Sequence, residues 1–345
     1  MESAAHLPVL LDESIDALSI NPSGTYVDAT FGRGGHSLRI LQALGPSGRL
    51  IAFDRDPQAI EAARQFTDTR FEIIHAPFSE MKTELVSRGC SDVHGILIDL
   101  GVSSPQLDQA DRGFSFRFNG PLDMRMDTTR GEPLSVWIAK ATLDELKRVI
   151  ADYGEERFAV PIAHAIVARC AEASRGEAEP LDTTTRLAEL VTQTLRRCGA
   201  RPEPGQHPAT RTFQALRIHI NGEIDELHAV LQAAVDLLCE AGRLAVISFH
   251  SLEDRVVKQF IRDESGKKPP DVDRSLTRSQ RAMLDSLSQH SQLSGAVVRP
   301  NNKPRLRSLG RVRPSADELR RNPRARSATL RVAERLAHSS EGITP

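Results

Sequence analysis

Cysteine is scarce in this chain of 345 residues: Cys90, Cys170, Cys198 and Cys239 are scattered, with no C-x-x-C spacing and no matched histidine pair. That argues against a disulfide framework and against a zinc site, so no metal is expected. The N-terminus lacks an apolar stretch of signal-peptide or membrane length, and Glu2, Asp12, Glu13 and Asp16 come early in it. A cytoplasmic protein with no membrane partner is the expectation. No G-x-x-x-x-G-K-S/T run occurs, which leaves a P-loop for nucleoside triphosphates unsupported. Net charge is nearly absent as well, at −1. That balance hides an asymmetry. Residues Arg299 to Arg335 hold twelve Lys/Arg against three Asp/Glu, a local excess of about +9 that suggests a polyanionic partner.

The richest local signal is the run Val27-Asp28-Ala29-Thr30-Phe31-Gly32-Arg33-Gly34-Gly35-His36, which reads as a buried strand, a glycine-rich turn and a helix. Gly32, Gly34 and Gly35 allow close approach of backbone to ligand, and the following helix, read from Ser37 to Leu44, aims its N-terminal amides at the same place. Twenty residues after Gly34, the run Leu50-Ile51-Ala52-Phe53 ends in Asp54, an acceptor for both hydroxyls of an adenosine ribose. A dinucleotide fingerprint counted from Gly32 needs glycine at position 37, where Ser37 stands. NAD is therefore second to S-adenosylmethionine, whose sulfonium the carboxylates Asp28, Asp54 and Asp99 can stabilise. A plainer reading makes the glycines a tight turn and Asp54 a helix cap, although Asp56-Pro57 is the better cap and first-turn pair.

Strand-like apolar runs at Tyr26 to Thr30, Leu50 to Asp54, Phe71 to His75, Ile96 to Asp99 and Leu244 to Ser248 alternate with helical stretches such as Pro57 to Gln65. The class expected is α/β, a doubly wound parallel sheet with its ligand at the carboxyl ends of the strands. Asp99 and Leu244 lie too far apart for an ordinary crossover. A helical insertion is expected there. Thr142-Leu143-Asp144-Glu145 opens one helix as a capping box, Phe158 to Ala173 forms another, and Leu187, Leu190, Val191 and Leu195 share a helical face. The insertion closes at the Pro/Gly-rich linker Gly199 to Pro208, and Thr212 to Cys239 returns as a long helix that Asn221-Gly222 can break. Glu264 to Ser294 is polar and poorly patterned.

Asp99-Leu100-Gly101-Val102-Ser103-Ser104-Pro105-Gln106-Leu107-Asp108, with Arg112-Gly113-Phe114-Ser115-Phe116 and Gly120 to Asp127 after it, strongly resembles the bacterial ribosomal RNA small-subunit methyltransferase H (MraW) family. So do His6 to Leu11, Thr30 to Ser37, Phe213 to Ile218, Ser248 to Arg255 and Asn322 to Ser327, in the family's order from end to end. The resemblance implies a class I S-adenosylmethionine-dependent methyltransferase, Rossmann-like, that methylates the exocyclic N4 of a cytidine in the decoding centre of small-subunit (16S) rRNA. It agrees with the layout read from the residues: a first methyltransferase part at 1–111, an inserted helical domain at 112–208 expected to recognise substrate, and a second methyltransferase part with the basic segment at 209–345. Its partner would be small-subunit rRNA within an assembled small ribosomal subunit.

Carried over by motif, the cofactor contacts are Gly34, Gly35, His36, Asp54, Phe78, Asp99 and Gln106. Phe78 can lay its ring on adenine, and Asp99 with the Gly101 to Ser104 loop can hold the target amine. Amino-directed DNA methyltransferases commonly carry D/N/S-P-P-aromatic after strand four; Asp99-Leu100-Gly101-Val102 departs from it, so a proline-pocket mechanism does not transfer. His250 is a weaker candidate, and no general base is assigned. For RNA, the candidates are Phe114 and Phe116, which could stack on bases, and Arg112, Arg117, Arg125, Arg324 and Arg326, which could hold phosphates. Against stacking stands a strand that packs its phenylalanines inward. Two other classes remain open: an NAD-dependent oxidoreductase, and a non-catalytic RNA-binding or assembly factor on a methyltransferase fold, which would bind RNA without regard to S-adenosylmethionine.

Overall fold

The computed structural model describes residues 8–201, 205–266 and 303–337. The polar stretch from residue 267, the first four residues of the basic segment, and His6-Leu7 lie outside them. Five apolar runs form parallel strands β1 (Thr25–Asp28), β2 (Arg49–Asp54), β3 (Phe71–His75), β4 (Val93–Asp99) and β5 (Leu238–Ser248). Leu50 to Phe53 and Ile96 to Ile98 are fully buried because helices cover both faces. β5 begins six residues before the expected Leu244, and a bulge at Ala241, whose φ is 62°, lets it start at the end of the preceding helix.

Two strands were not expected. β6 (Leu306–Val312) and β7 (Thr329–Arg335) complete a seven-stranded sheet of order β3-β2-β1-β4-β5-β7-β6, with β7 antiparallel to both neighbours. Two stretches of the basic segment are thus built into the sheet. Arg305 pairs with Glu264 at 2.6 Å and Asp236 at 3.1 Å, Arg307 pairs with Glu334, and Arg331 forks onto Asp254 at 2.7 and 2.9 Å. Arg305 and Arg331 meet acids supplied by earlier parts of the chain, which a local charge count cannot register.

Between β4 and β5 stands a helical unit with its own apolar core, in which Phe114, Leu122, Met124, Leu146, Ile150, Ile162, Leu187 and Val191 are buried. Helices α1 (Leu11–Leu18), α2 (Gly35–Ala43), α3 (Pro57–Ala63), α4 (Met81–Ser87) and α5 (Ser104–Asp108) precede it, and its own include α6 (Leu134–Lys140), α7 (Leu143–Gly154), α8 (Ala159–Ser174) and α9 (Thr184–Arg197). The capping box at Thr142 and Glu145 is formed as its sequence requires. The long helix before β5 is two: α10 (Thr210–Asn221), which gives Phe213 and Leu216 to the helical core, and α11 (Glu223–Leu237). Gly222 breaks them at φ 60°.

Order reversal between β2-β1 and β4-β5 opens a crevice at the carboxyl ends of β1 and β4. Register then sorts the three acids. Asp28 pairs across from Ala52 and Leu97, each two residues short of Asp54 and Asp99. It therefore sits roughly 7 Å deeper in the sheet at about 3.3 Å per residue.

Candidate active site

A cavity of about 450 Å³ occupies that crevice. Its wall includes Gly32, Gly35, His36, Asp54, Phe78, Asp99 and Gln106, so six of the seven residues carried over by motif come together there. Gly34 does not line it. At φ 77° it caps the helix α2 (Gly35–Ala43), and a Cβ there would meet the Phe66 ring at 2.4 Å and Phe31 at 2.7 Å. It shapes the turn from behind, while Gly32, at φ 57° with open space beside it, presents backbone to the cavity. Asp28 is likewise off the wall. It accepts from Ser37 Oγ at 2.7 Å and the Thr30 amide at 3.2 Å, so Ser37 in the third-glycine place is a buried partner for the strand-end carboxylate.

Asp54 is not a helix cap. Its Oδ2 accepts from the Gly32 amide and its Oδ1 from the Asp56 amide, both at 2.8 Å; Asp56 caps α3 (Pro57–Ala63) by accepting from the Gln58 amide at 2.9 Å. The carboxylate thus binds the glycine turn to the end of β2 and keeps its remaining lone pairs for a ligand. Burial pushes its pKa up to about 6, against the two amides and with help from Asp56 and Asp28.

Asp99 ends β4 with its amide donating to Thr30 Oγ1 at 2.7 Å. Its Oδ1 is shielded from solvent and has no hydrogen-bond partner among the described residues. Burial, then the charges of Asp28 and Glu253, raise its pKa well above the ordinary carboxylate range. His36 stands beside it, Nδ1 at 3.7 Å from Oδ2, too far for a hydrogen bond. Burial lowers the His36 pKa to about 4, and Nε2 at 3.2 Å from the Val9 carbonyl is then the protonated nitrogen, assigned from that partner. A neutral imidazole leaves Asp99 without a cationic partner.

Gln106 is buried with both ends of its amide engaged: Oε1 accepts from the Ser103 amide at 2.9 Å, and Nε2 donates to Asp56 Oδ2 at 2.8 Å. Arg112 donates to the same oxygen at 2.8 Å and to the carbonyls of Arg125 and Met126. Together they lash the loop after β4 to the start of α3.

Four of the expected RNA contacts are therefore structural. Arg112 is buried against Asp56. Arg125 forks onto Asp123 and the carbonyls of Arg130 and Gly131. Phe114 is a core residue, and Phe116 packs on His207 and Phe213 with ring centroids at 4.4 and 4.9 Å. The inward-packing alternative holds, without a strand. Arg324 is half spent: it lines the cavity and pairs with Asp108 at 2.6 Å. Arg117 and Arg326 are exposed.

Arg217, Phe249 and Glu253 are among the cavity residues that escaped the sequence reading. Arg217 on α10 forks onto Glu223 at 2.8 and 2.9 Å, Phe249 follows β5, and Glu253 begins the next helix, α12 (Ser251–Glu264). Glu253 is buried, accepts from the Phe249 amide at 2.9 Å and has Oε1 3.0 Å from His250 Nε2. Burial alone would raise its pKa, but His250, Arg217 and that amide bring it below the usual range. The sole local signal was that two of the quoted motifs, Phe213 to Ile218 and Ser248 to Arg255, contain them; nothing in their spacing joins one to the other.

The sequence profile of the MraW methylase family matches residues 3–295. The chain belongs to that family. The ribosomal RNA small subunit methyltransferase H of Burkholderia thailandensis is 54% identical over 332 residues, covering 96% of this chain and 98% of its own length. The protein of that name from Burkholderia mallei strain SAVP1 is 53% identical over 334 residues, with the same coverage. A crystal structure of an rRNA methylase from Streptococcus thermophilus aligns over 96% of this chain and 100% of its own, at 11% identity and a TM-score of 0.39. This methylase has a class I fold and takes S-adenosylmethionine, the first of the two cofactors its glycine turn allowed. The cavity has groups that suit such a ligand: the Asp54 carboxylate at the β2 rim, the Phe78 ring and the Asp99 carboxylate at the β4 rim line one space.

Proposed function

We propose that this methylase transfers a methyl group to the exocyclic N4 of a cytidine in the decoding centre of small-subunit rRNA, within an assembled small subunit. The small-subunit rRNA methyltransferase relatives support the substrate class. The observation that carries the chemistry is the partly buried Asp99 carboxylate on a cavity wall that includes no cysteine.

S-adenosylmethionine, when bound, supplies a methyl group on a cationic sulfur. Asp54 would hold the ribose, Phe78 the adenine, and Gly32, Gly35 and His36 the remainder of the cradle. Gln106 acts from behind, holding the Gly101 to Ser104 loop in place. Cytosine N4 is a weak nucleophile because its lone pair is delocalised, so the enzyme must align it and take its protons. N4 must give up a proton when it takes the methyl group, and Asp99 would be the acceptor. The target must leave its stack to reach this depth. Mass spectrometry of rRNA nucleosides from cells with and without the gene tests the reading: N4-methylcytidine should vanish with the gene, and unchanged nucleosides would refute it.

Methylating pyrimidine C5 generally needs a cysteine thiolate to add to the ring. Cys90, Cys170, Cys198 and Cys239 all lie off the cavity wall. Replacing all four by alanine or serine should leave turnover within about threefold, read as label transfer by a variant whose melting is checked in parallel. A folded variant that binds cofactor without transferring methyl would contradict the amine-directed mechanism.

RNA contact is assigned to the exposed cations Arg117 and Arg326, with Arg324 at the cavity mouth. Reversing the charge of Arg117 and Arg326 together should weaken RNA binding and reduce the slope of log affinity against log salt by about two. Arg112→Gln should instead lower the melting temperature, since it strands Asp56 in a buried place.

A further inference from the structure

Gly32, His36, Asp54 and Phe78 of this cavity are assigned to the cofactor, and Phe249 and Arg217 line it as well. Arg217 uses Nε and Nη2 on Glu223, which leaves Nη1 as the guanidinium nitrogen able to donate into the cavity the residue lines. Its place is fixed from two sides. Glu223 holds the fork, and neighbouring Ile218 and Ile224 pack on Leu252 in the first turn of α12. Glu253, one residue on, presses its charge on both Arg217 and Asp99, and all three line the same cavity. Phe249 lies between them in the chain of contacts, its amide on Glu253 and its ring 3.6 Å from where a Gly101 Cβ would be. The loop after Asp99 lacks an aromatic residue, and the ring next to it comes from β5.

We infer that Phe249 and Arg217 form the seat of the target pyrimidine, with the Phe249 ring against the base and Arg217 Nη1 donating to cytosine N3. This rests on the cytidine N4 reading and extends it. Cytosine presents an N4 donor beside an N3 acceptor; Asp99 takes the first and Arg217 the second, which fixes the base in its plane. A cation at N3 also favours loss of the N4 proton, because the electron pair left behind is shared with N3. Arg217 is a positioning residue toward the amine and a direct contact of the ring.

The test pairs a protein change with a base change. Arg217→Lys keeps a cation for Glu223 and gives up the second fork, and the double variant Arg217→Met, Glu223→Met removes the buried pair together, leaving Glu253 with His250 and the Phe249 amide. Substrate RNA is prepared by ligation with cytosine or 3-deazacytosine, whose N3 is a C–H, at the methylated position. Native protein should lose about 10- to 100-fold in kcat/KM, and should bind more weakly with S-adenosylhomocysteine present, when N3 is removed. Both variants should lose a similar amount on cytosine and nothing further on 3-deazacytosine. Losses that multiply, or native protein indifferent to 3-deazacytosine, would overturn the N3 contact. Failure of the native protein to make N4-methylcytidine on unmodified RNA would instead refute the underlying reaction.

Discussion

Asp54→Ala is expected to weaken S-adenosylmethionine binding at least about 100-fold. Two ribose hydroxyls donating to one carboxylate are charge-assisted bonds of roughly 1.5–3 kcal/mol each. The same oxygens hold the Gly32 and Asp56 amides, so the alanine variant also slackens the turn. Asp54→Asn separates the two roles: its amide oxygen can keep one backbone donor, and the affinity should fall between those of native and alanine proteins. A sign follows from the pKa of about 6. The ribose contacts need the ionised form, so native affinity should decline as pH falls through 6, and the asparagine variant should show no such decline. Binding must then release protons near pH 6, measurable by calorimetry in buffers of different ionisation enthalpy. An alanine variant with native affinity would remove Asp54 from the cofactor site.

The five parallel strands were legible because a strand covered on both faces must be apolar throughout and can turn polar only at its rim. Asp54 and Asp99 fall where that change occurs. Asp28 has the same local appearance, and only inter-strand register shows that it ends a level lower, beneath the turn. The break at Asn221-Gly222 was legible too, since a left-handed glycine ends one helix and admits the next.

What could not be read locally was pairing at long range. Twelve cations near the C-terminus look like a polyanion-binding tail, yet Arg305 is spent on Glu264 and Asp236 and Arg331 on Asp254, and β6 and β7 are sheet strands. Phe114-Ser115-Phe116 alternating with arginines has the composition of a base-stacking ribbon, yet its rings close a helical core and Arg112 is buried on Asp56. The opposite error occurred at Arg217 and Glu253. Each sits in a stretch that reads as an ordinary amphipathic helix, and only the fold brings α10 and α12 to the same cavity.

Asp99→Asn is expected to cut turnover by about 10²–10³ with S-adenosylmethionine affinity changed by no more than a few-fold, because proton acceptance is lost while shape is kept. The pH profile makes the stronger test. A proton acceptor works ionised, and burial with Asp28 and Glu253 nearby holds Asp99 protonated to higher pH than an ordinary carboxyl. The rate should therefore rise with pH through that raised pKa. Asp28 lies off the cavity wall, and its charge is among the causes of the shift; Asp28→Asn should move the acid limb to lower pH while leaving the plateau rate near native. The same substitution should stabilise the unliganded fold at neutral pH, since Asp28 has its pKa raised to about 6, chiefly by burial. A group protonated more readily folded than unfolded stabilises fully only below its unfolded pKa, and loses that contribution as pH rises through the folded value. At pH 7 the burial of that charge costs on the order of 2–3 kcal/mol by the size of the shift, and asparagine avoids it. The gain in melting temperature should shrink on acidification and be gone near pH 4. A limb that stays in place in Asp28→Asn, beside normal turnover in Asp99→Asn, would show that N4 gives its proton to some group other than Asp99.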